Sequence, residues 1–250
     1  NKFILSNYPK IILYKQGQPY DSRKEQVESG YKGALKMTMV EELVHSTQDS
    51  LQNANKNAAT NVNSINEELA KIILRLDDNA SNNLYEYLQL QNVPNDFPIA
   101  KKANLFFMLN PDNFVVNVLG PDVMTYSHVE IDPKISEIVP ELPDIYQRWL
   151  QPIQEHHAAF SIMEGMAEFT VQKILQTDND FQNYLTTFMG TDFSSYKVRK
   201  NMGKELTEKV FEKFGKNAFK FLNEKPPGTR ELKEPDKYLK RDLSTGSEHM

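Results

Sequence analysis

Seven residues, Met39-Val40-Glu41-Glu42-Leu43-Val44-His45, lie in a stretch with helical periodicity and differ by one residue from the pattern H-E-x-x-H. The pattern has a physical basis. Residues four apart on a helix share a face, so their side chains can grip one ion. The glutamate that follows the first of them then sits where it can take a proton from a metal-bound water. Glu41 and His45 hold the two ligand positions and Glu42 holds the base position. Glu41 stands where the pattern has histidine. A carboxylate in place of an imidazole adds a negative charge and moves the donor set from borderline towards hard, oxygen-rich chemistry. Zinc still accepts such a set, and iron or manganese suits it better.

Two further blocks follow. Residues 158–175 read AAFSIMEGMAEFTVQKIL, and within them Glu164 and Glu168 are again four apart. His157, Ser161, Glu164 and Glu168 fall at steps of four, three and four, hence on one helical face. His157 is thereby a candidate neighbour of the acidic pair, although two turns, about 10 Å of rise, separate it from Glu164. The third block is Pro226-Pro227-Gly228-Thr229-Arg230-Glu231-Leu232-Lys233-Glu234-Pro235-Asp236-Lys237-Tyr238-Leu239. Taken singly, such glutamates are also what two amphipathic helices with solvated acidic faces would carry.

In order and rough spacing the three blocks resemble gluzincin-type metallopeptidases of the zincin class, which combine an H-E-x-x-H helix, an E-G-x-A helix and a P-P-x-S/T-x-E-x-x-H-P-x-x-Y tail. The resemblance runs from about Lys36 to Leu239 and departs from the pattern at Glu41 and Glu234, each in place of a histidine. It implies a metal centre of Glu41, His45 and Glu164, with Glu42 as general base. Glu168, His157 and Glu234 would surround these ligands and orient them. An ionised Glu234 cannot donate a hydrogen bond to a developing oxyanion, so that role would pass to Tyr238 or to His128 of Tyr126-Ser127-His128, with Arg230 a further candidate from the tail. The implied activity is metal-dependent hydrolysis of a peptide or protein, with zinc as the expected ion and iron or manganese as alternatives. The same departures equally describe a zincin-derived binding or scaffold protein that has lost its chemistry and needs no metal. A di-iron carboxylate bundle is a further alternative, but it needs two E-x-x-H motifs and only Glu42 to His45 supplies one.

Composition narrows the field. A chain of 250 residues is long enough for one large domain. The net charge of −5, with no basic stripe, argues against a nucleic-acid partner. The chain has no cysteine, which removes disulfides, thiolate ligands and thiol nucleophiles. No apolar run approaches the roughly 18 residues of a membrane span. The chain begins at Asn1, so a leader absent from it is compatible with either a cytoplasmic or a secreted protein.

Periodicity supplies an outline. Residues 9–16 (PKIILYKQ) read as a strand, and residues 17–32 as polar and turn-rich. Leu35, Met39, Leu43 and Val44 mark a helix from Gly33 to about Ala54. One or two helices are expected in 60–91, and a hairpin from Leu105–Leu109 and Phe114–Leu119 around Asn110-Pro111-Asp112-Asn113. Residues 121–143 read as a connection, 144–154 and 155–176 as successive helices disturbed at Pro152, and 181–190 and 196–222 as further helix. The expected architecture is α+β, mostly α: one zincin-like domain over residues 1–243 with a small sheet, a helical insertion at about 56–103, and a flexible tail at 244–250.

Overall fold

The computed structural model describes residues 24–90, 98–112, 120–188 and 195–241. Eleven α-helices lie among them: α1 (Lys24–His45), α2 (Asp49–Arg75), α3 (Asp78–Tyr87), α4 (Pro98–Leu109), α5 (Pro133–Ile138), α6 (Leu142–Leu175), α7 (Asn179–Thr187), α8 (Ser195–Phe214), α9 (Asn217–Glu224), α10 (Thr229–Lys233) and α11 (Pro235–Leu239). A 3-10 turn spans Gly120–Thr125. No strand occurs among the described residues, so the expected α+β fold with a small sheet is replaced by an all-α one.

The reason is visible where a hairpin arm was expected. Along a strand, residues 105, 107 and 109 would share a face. Instead Leu105 and Leu109 are buried while Phe107 between them is 58% exposed, the signature of a 3.6-residue period. A short apolar run is ambiguous between the two periods, and here packing chose the helix. The other expected strands, 9–16 and 114–119, lie outside the described residues.

The chain groups into two compact units. One comprises residues 1–50, 161–226 and 241–250, the other 51–160 and 227–240. Helix α6 contributes to both. It runs unbroken for 34 residues through Pro152, where two helices were expected. Trp149, Leu150 and Ile153 around the proline are all buried, and that packing offsets the backbone hydrogen bond the proline cannot make.

In the second unit, Leu51, Ala58, Val62, Ile65, Leu69 and Ile73 form the buried face of α2. The indole of fully buried Trp149 donates to Asp112 at 2.6 Å, and the Asn66 amide also donates to Asp112. Tyr146 donates to the Leu109 carbonyl at 3.0 Å, and burial pushes its phenol up to about 12.

In the first unit, Val171, Leu175 and Phe181 form a core against which Met37, Val40, Tyr184 and Leu185 pack. Helix α1 docks on α7 through small residues. Its buried positions are Val27, Gly30 and Gly33, whereas Leu35, Met39 and Leu43 stay 47–66% exposed. A Cβ at Gly33 would overlap the Asp180 carbonyl, and one at Gly30 would lie 2.8 Å from the Phe188 ring. The contact is tied at its edge by polar groups. Ser29 donates to Asp180 at 2.5 Å, and the Lys36 ammonium reaches Asp178 at 2.6 Å and Asp180 at 2.9 Å.

Two outcomes follow from this docking. Gly33→Ala should lower the urea midpoint at unchanged slope, by about 1–3 kcal/mol for an overpacked contact. An unaltered midpoint would mean the helices do not touch there. The second outcome concerns pH. The Lys36 ammonium holds Asp178 below the usual carboxylate range, and the Ser29 hydroxyl followed by Lys36 does the same for Asp180. The Asp178 and Asp180 carboxylates in turn hold the Lys36 ammonium above 10.5. A lowered carboxylate pKa stabilises at neutral pH and stops doing so as pH falls through the folded-state value. A raised lysine pKa stabilises below its unfolded value and stops doing so as pH rises through the folded one. Amide protection in α7, corrected for intrinsic exchange, should therefore weaken below about pH 4. Lys36→Met should reduce that acid sensitivity, leaving the part that the Ser29 hydroxyl and the Phe181 amide sustain.

Candidate functional site

The site is assembled by three helices of the first unit, and it begins where α1 stops. A helix was expected to continue to about Ala54, but it ends at His45. The Ser46 and Thr47 hydroxyls donate to the carbonyls of Leu43 and Val44 at 2.7 and 2.8 Å, satisfying groups that a helix end leaves open. The break carries Gln48 to a fully buried position. There its amide nitrogen donates to the Met163 carbonyl at 3.1 Å and lies 3.6 Å from the Met166 sulfur. With its nitrogen committed, Gln48 offers its oxygen to His45 Nδ1 at 2.8 Å. The network thereby places a proton on His45 Nδ1. Nε2 is turned towards Glu164, 3.7 Å from Oε1.

Helix α6 brings Glu164 and Glu168 to the same place. Between them lies Gly165, and the sequence E-G-M-A-E acquires a second meaning from it. A Cβ on Gly165 would overlap the backbone of Gly203 in α8, and a Cβ on Gly203 would overlap the Ser161 carbonyl. The two helices therefore cross in backbone contact, which only glycine at both positions permits. Lys200 precedes Gly203 by three residues, nearly one turn, so the crossing delivers its side chain to the acidic pair.

Lys200 Nζ lies 2.8 Å from Glu41, 3.2 Å from Glu168 and 3.9 Å from Glu164. These four side chains are only 15–23% exposed, so the cluster is far drier than a surface ion pair. Glu168 also accepts from Gln172 at 2.8 Å. Of the residues singled out in the sequence, Glu41, His45, Glu164 and Glu168 are thus brought together. Glu42 lies on the next face of α1 and is exposed.

The remaining candidates belong to the other unit. His157 is buried in α6, its ring 5.9 Å from that of His156. His128 is exposed, within 3.2 Å of Gln147 and 3.9 Å of Glu130. Tyr238 is fully buried, which makes it a core residue of that unit. Glu234 is exposed and pairs with Lys237 at 2.9 Å, and Arg230 is exposed.

Lys200 is the residue that sequence reasoning missed. Its signal was the K-N-M-G string, a cation nearly one turn ahead of a helical glycine, matching a glycine flanked by glutamates in α6. The arrangement bears directly on a metal. His45 Nε2 and Glu164 are separated as two ligands of one ion would be, given bonds of about 2 Å. Glu41, however, is engaged by the ammonium. Among the described residues no group of three or more His, Asp or Glu side chains is placed to hold a metal ion. Electrostatics points the same way. A dication about 4 Å from Nζ would be repelled by on the order of 8 kcal/mol at an effective dielectric of 20. As placed, the residues fit a lysine ammonium and do not fit a resident metal.

Comparison of the chain with known proteins finds no matching family model, no matching curated protein and no matching solved structure. No helix among the described residues is long and apolar enough to cross a membrane.

The cluster makes a quantitative prediction. In a double-mutant cycle of Glu41→Gln and Lys200→Met followed by urea unfolding, the coupling should be about 1–2 kcal/mol, above that of exposed pairs and below that of fully buried ones. A coupling near zero would mean that the two side chains do not meet in solution.

Proposed function

We propose that this chain is a non-catalytic binding or scaffold protein whose acidic site carries a lysine where a related hydrolase would carry a metal, and that its partner is a peptide or protein. The observation that carries the reading is the Lys200 ammonium among Glu41, Glu164 and Glu168. Hydrolysis by the implied route needs a polarised water, a base beside it and a donor for the oxyanion. The exposure of Glu42 and the full burial of Tyr238 both support a site without that machinery. Glu41 in place of histidine supports it as well, because a carboxylate is the better partner for an ammonium.

One observation favours a second reading, a metallopeptidase-like enzyme with an altered first ligand. His45 Nδ1 is anchored by Gln48 while Nε2 faces Glu164, as is usual for a metal-binding imidazole. The two readings part on activity. The purified chain, incubated with a mixed peptide pool alone and with added zinc, manganese or ferrous iron, should release no more product than its Glu42→Gln variant. Cleavage that depends on Glu42 would establish the enzyme and end the binding-protein reading.

A further inference from the structure

The departure at Glu41 and the presence of Lys200 explain one another. An ammonium needs oxygen acceptors around its three protons, and a neutral imidazole at position 41 would offer a single nitrogen. Glu41 supplies a charged acceptor at 2.8 Å, closer to Lys200 than Glu168 at 3.2 Å or Glu164 at 3.9 Å. The lysine is also not an incidental surface residue that has folded inward. Its helix is held at the site by the overlap-free fit of Gly165 and Gly203, so its reach is set by the backbone. A tethered cation in that position competes at a high effective concentration against any free ion.

We propose that the Lys200 ammonium is a tethered substitute for a metal ion, and that it excludes divalent cations from the set formed by Glu41, His45 and Glu164. The inference rests on the binding-protein reading for its biological sense, but its chemistry can be tested apart from it. Removing the positive charge takes the Lys200 ammonium away from Glu41 and Glu164, beside the oriented Nε2 of His45. As placed around the ammonium these side chains do not form a metal-holding group; with the charge removed they can close on a dication where the ammonium stood, whereas Lys200→Arg, which keeps the charge, leaves that place filled.

The test titrates Co²⁺ and Zn²⁺ into wild type, Lys200→Gln, Lys200→Met and Lys200→Arg, with cobalt absorption and the ¹⁵N shift of His45 Nε2 as readouts. Wild type and Lys200→Arg should leave the His45 resonance unmoved at metal concentrations up to about 1 mM. The neutral variants should bind at least about tenfold more tightly, with a shift of His45 Nε2 that His45→Ala abolishes. Stoichiometric binding by wild type with movement of the His45 resonance would overturn the proposal, and that arm holds even if the neutral variants fail to fold. A folded Lys200→Gln or Lys200→Met that binds no better than wild type would also overturn it. Metal-independent peptidase activity in wild type would defeat the binding-protein reading and leave this proposal standing.

Discussion

The backbone contact between Gly165 and Gly203 is the constraint on which the site depends. Two helices separated by ordinary side chains lie 8–10 Å apart, and a lysine on one would meet the other's face only at the end of its reach. With no Cβ on either glycine, α6 and α8 close to backbone contact. The geometry then brings the residues within one turn of each glycine into each other's reach. Those residues are Glu164 and Glu168 on α6 and Lys200 on α8. Helix α1 completes the cluster with Glu41 and His45. It is held from below by Gln48, whose burial follows from the hydroxyl-capped end of the helix at His45.

Charge accounts for why the cluster is tolerated. Three carboxylates less than a quarter exposed would repel one another strongly, and bringing them together without a cation would cost several kcal/mol. A metal ion answers that cost in a metallopeptidase. A lysine answers it here with one charge instead of two, and with directional protons that suit oxygen acceptors. The lysine needs no external ion. An ammonium has no open coordination position and does not polarise a water as a metal ion does.

The sequence made part of this legible. The i, i+4 relation puts Glu41 and His45 on one face of α1, and Glu164 and Glu168 on one face of α6, whatever the tertiary structure. Their meeting was not legible in any local pattern, because no local rule connects residues about 120 positions apart. Lys200 was overlooked for the same reason, and because a lysine in a helix rich in basic residues looks like solvated surface. The absence of a sheet was not legible either. Leu105–Leu109 is too short to distinguish a period of two from one of 3.6, and only the burial of Leu105 and Leu109 against the exposure of Phe107 separates them. The 3.6-residue pattern of α2 was legible from about residue 60, where Val62, Ile65, Leu69 and Ile73 repeat it, but the start of the helix at Asp49 was not.

The most direct measurement is ¹⁵N NMR of the lysine ammonium groups in the metal-free protein, with Lys200 assigned by the signal lost in Lys200→Met. The account predicts a resolved, slowly exchanging Lys200 ammonium with scalar coupling through hydrogen bonds to the side-chain carboxyl carbons of Glu41 and Glu168. A Lys200 ammonium that exchanges with water as fast as the exposed lysines, and that shows no such coupling, would contradict it.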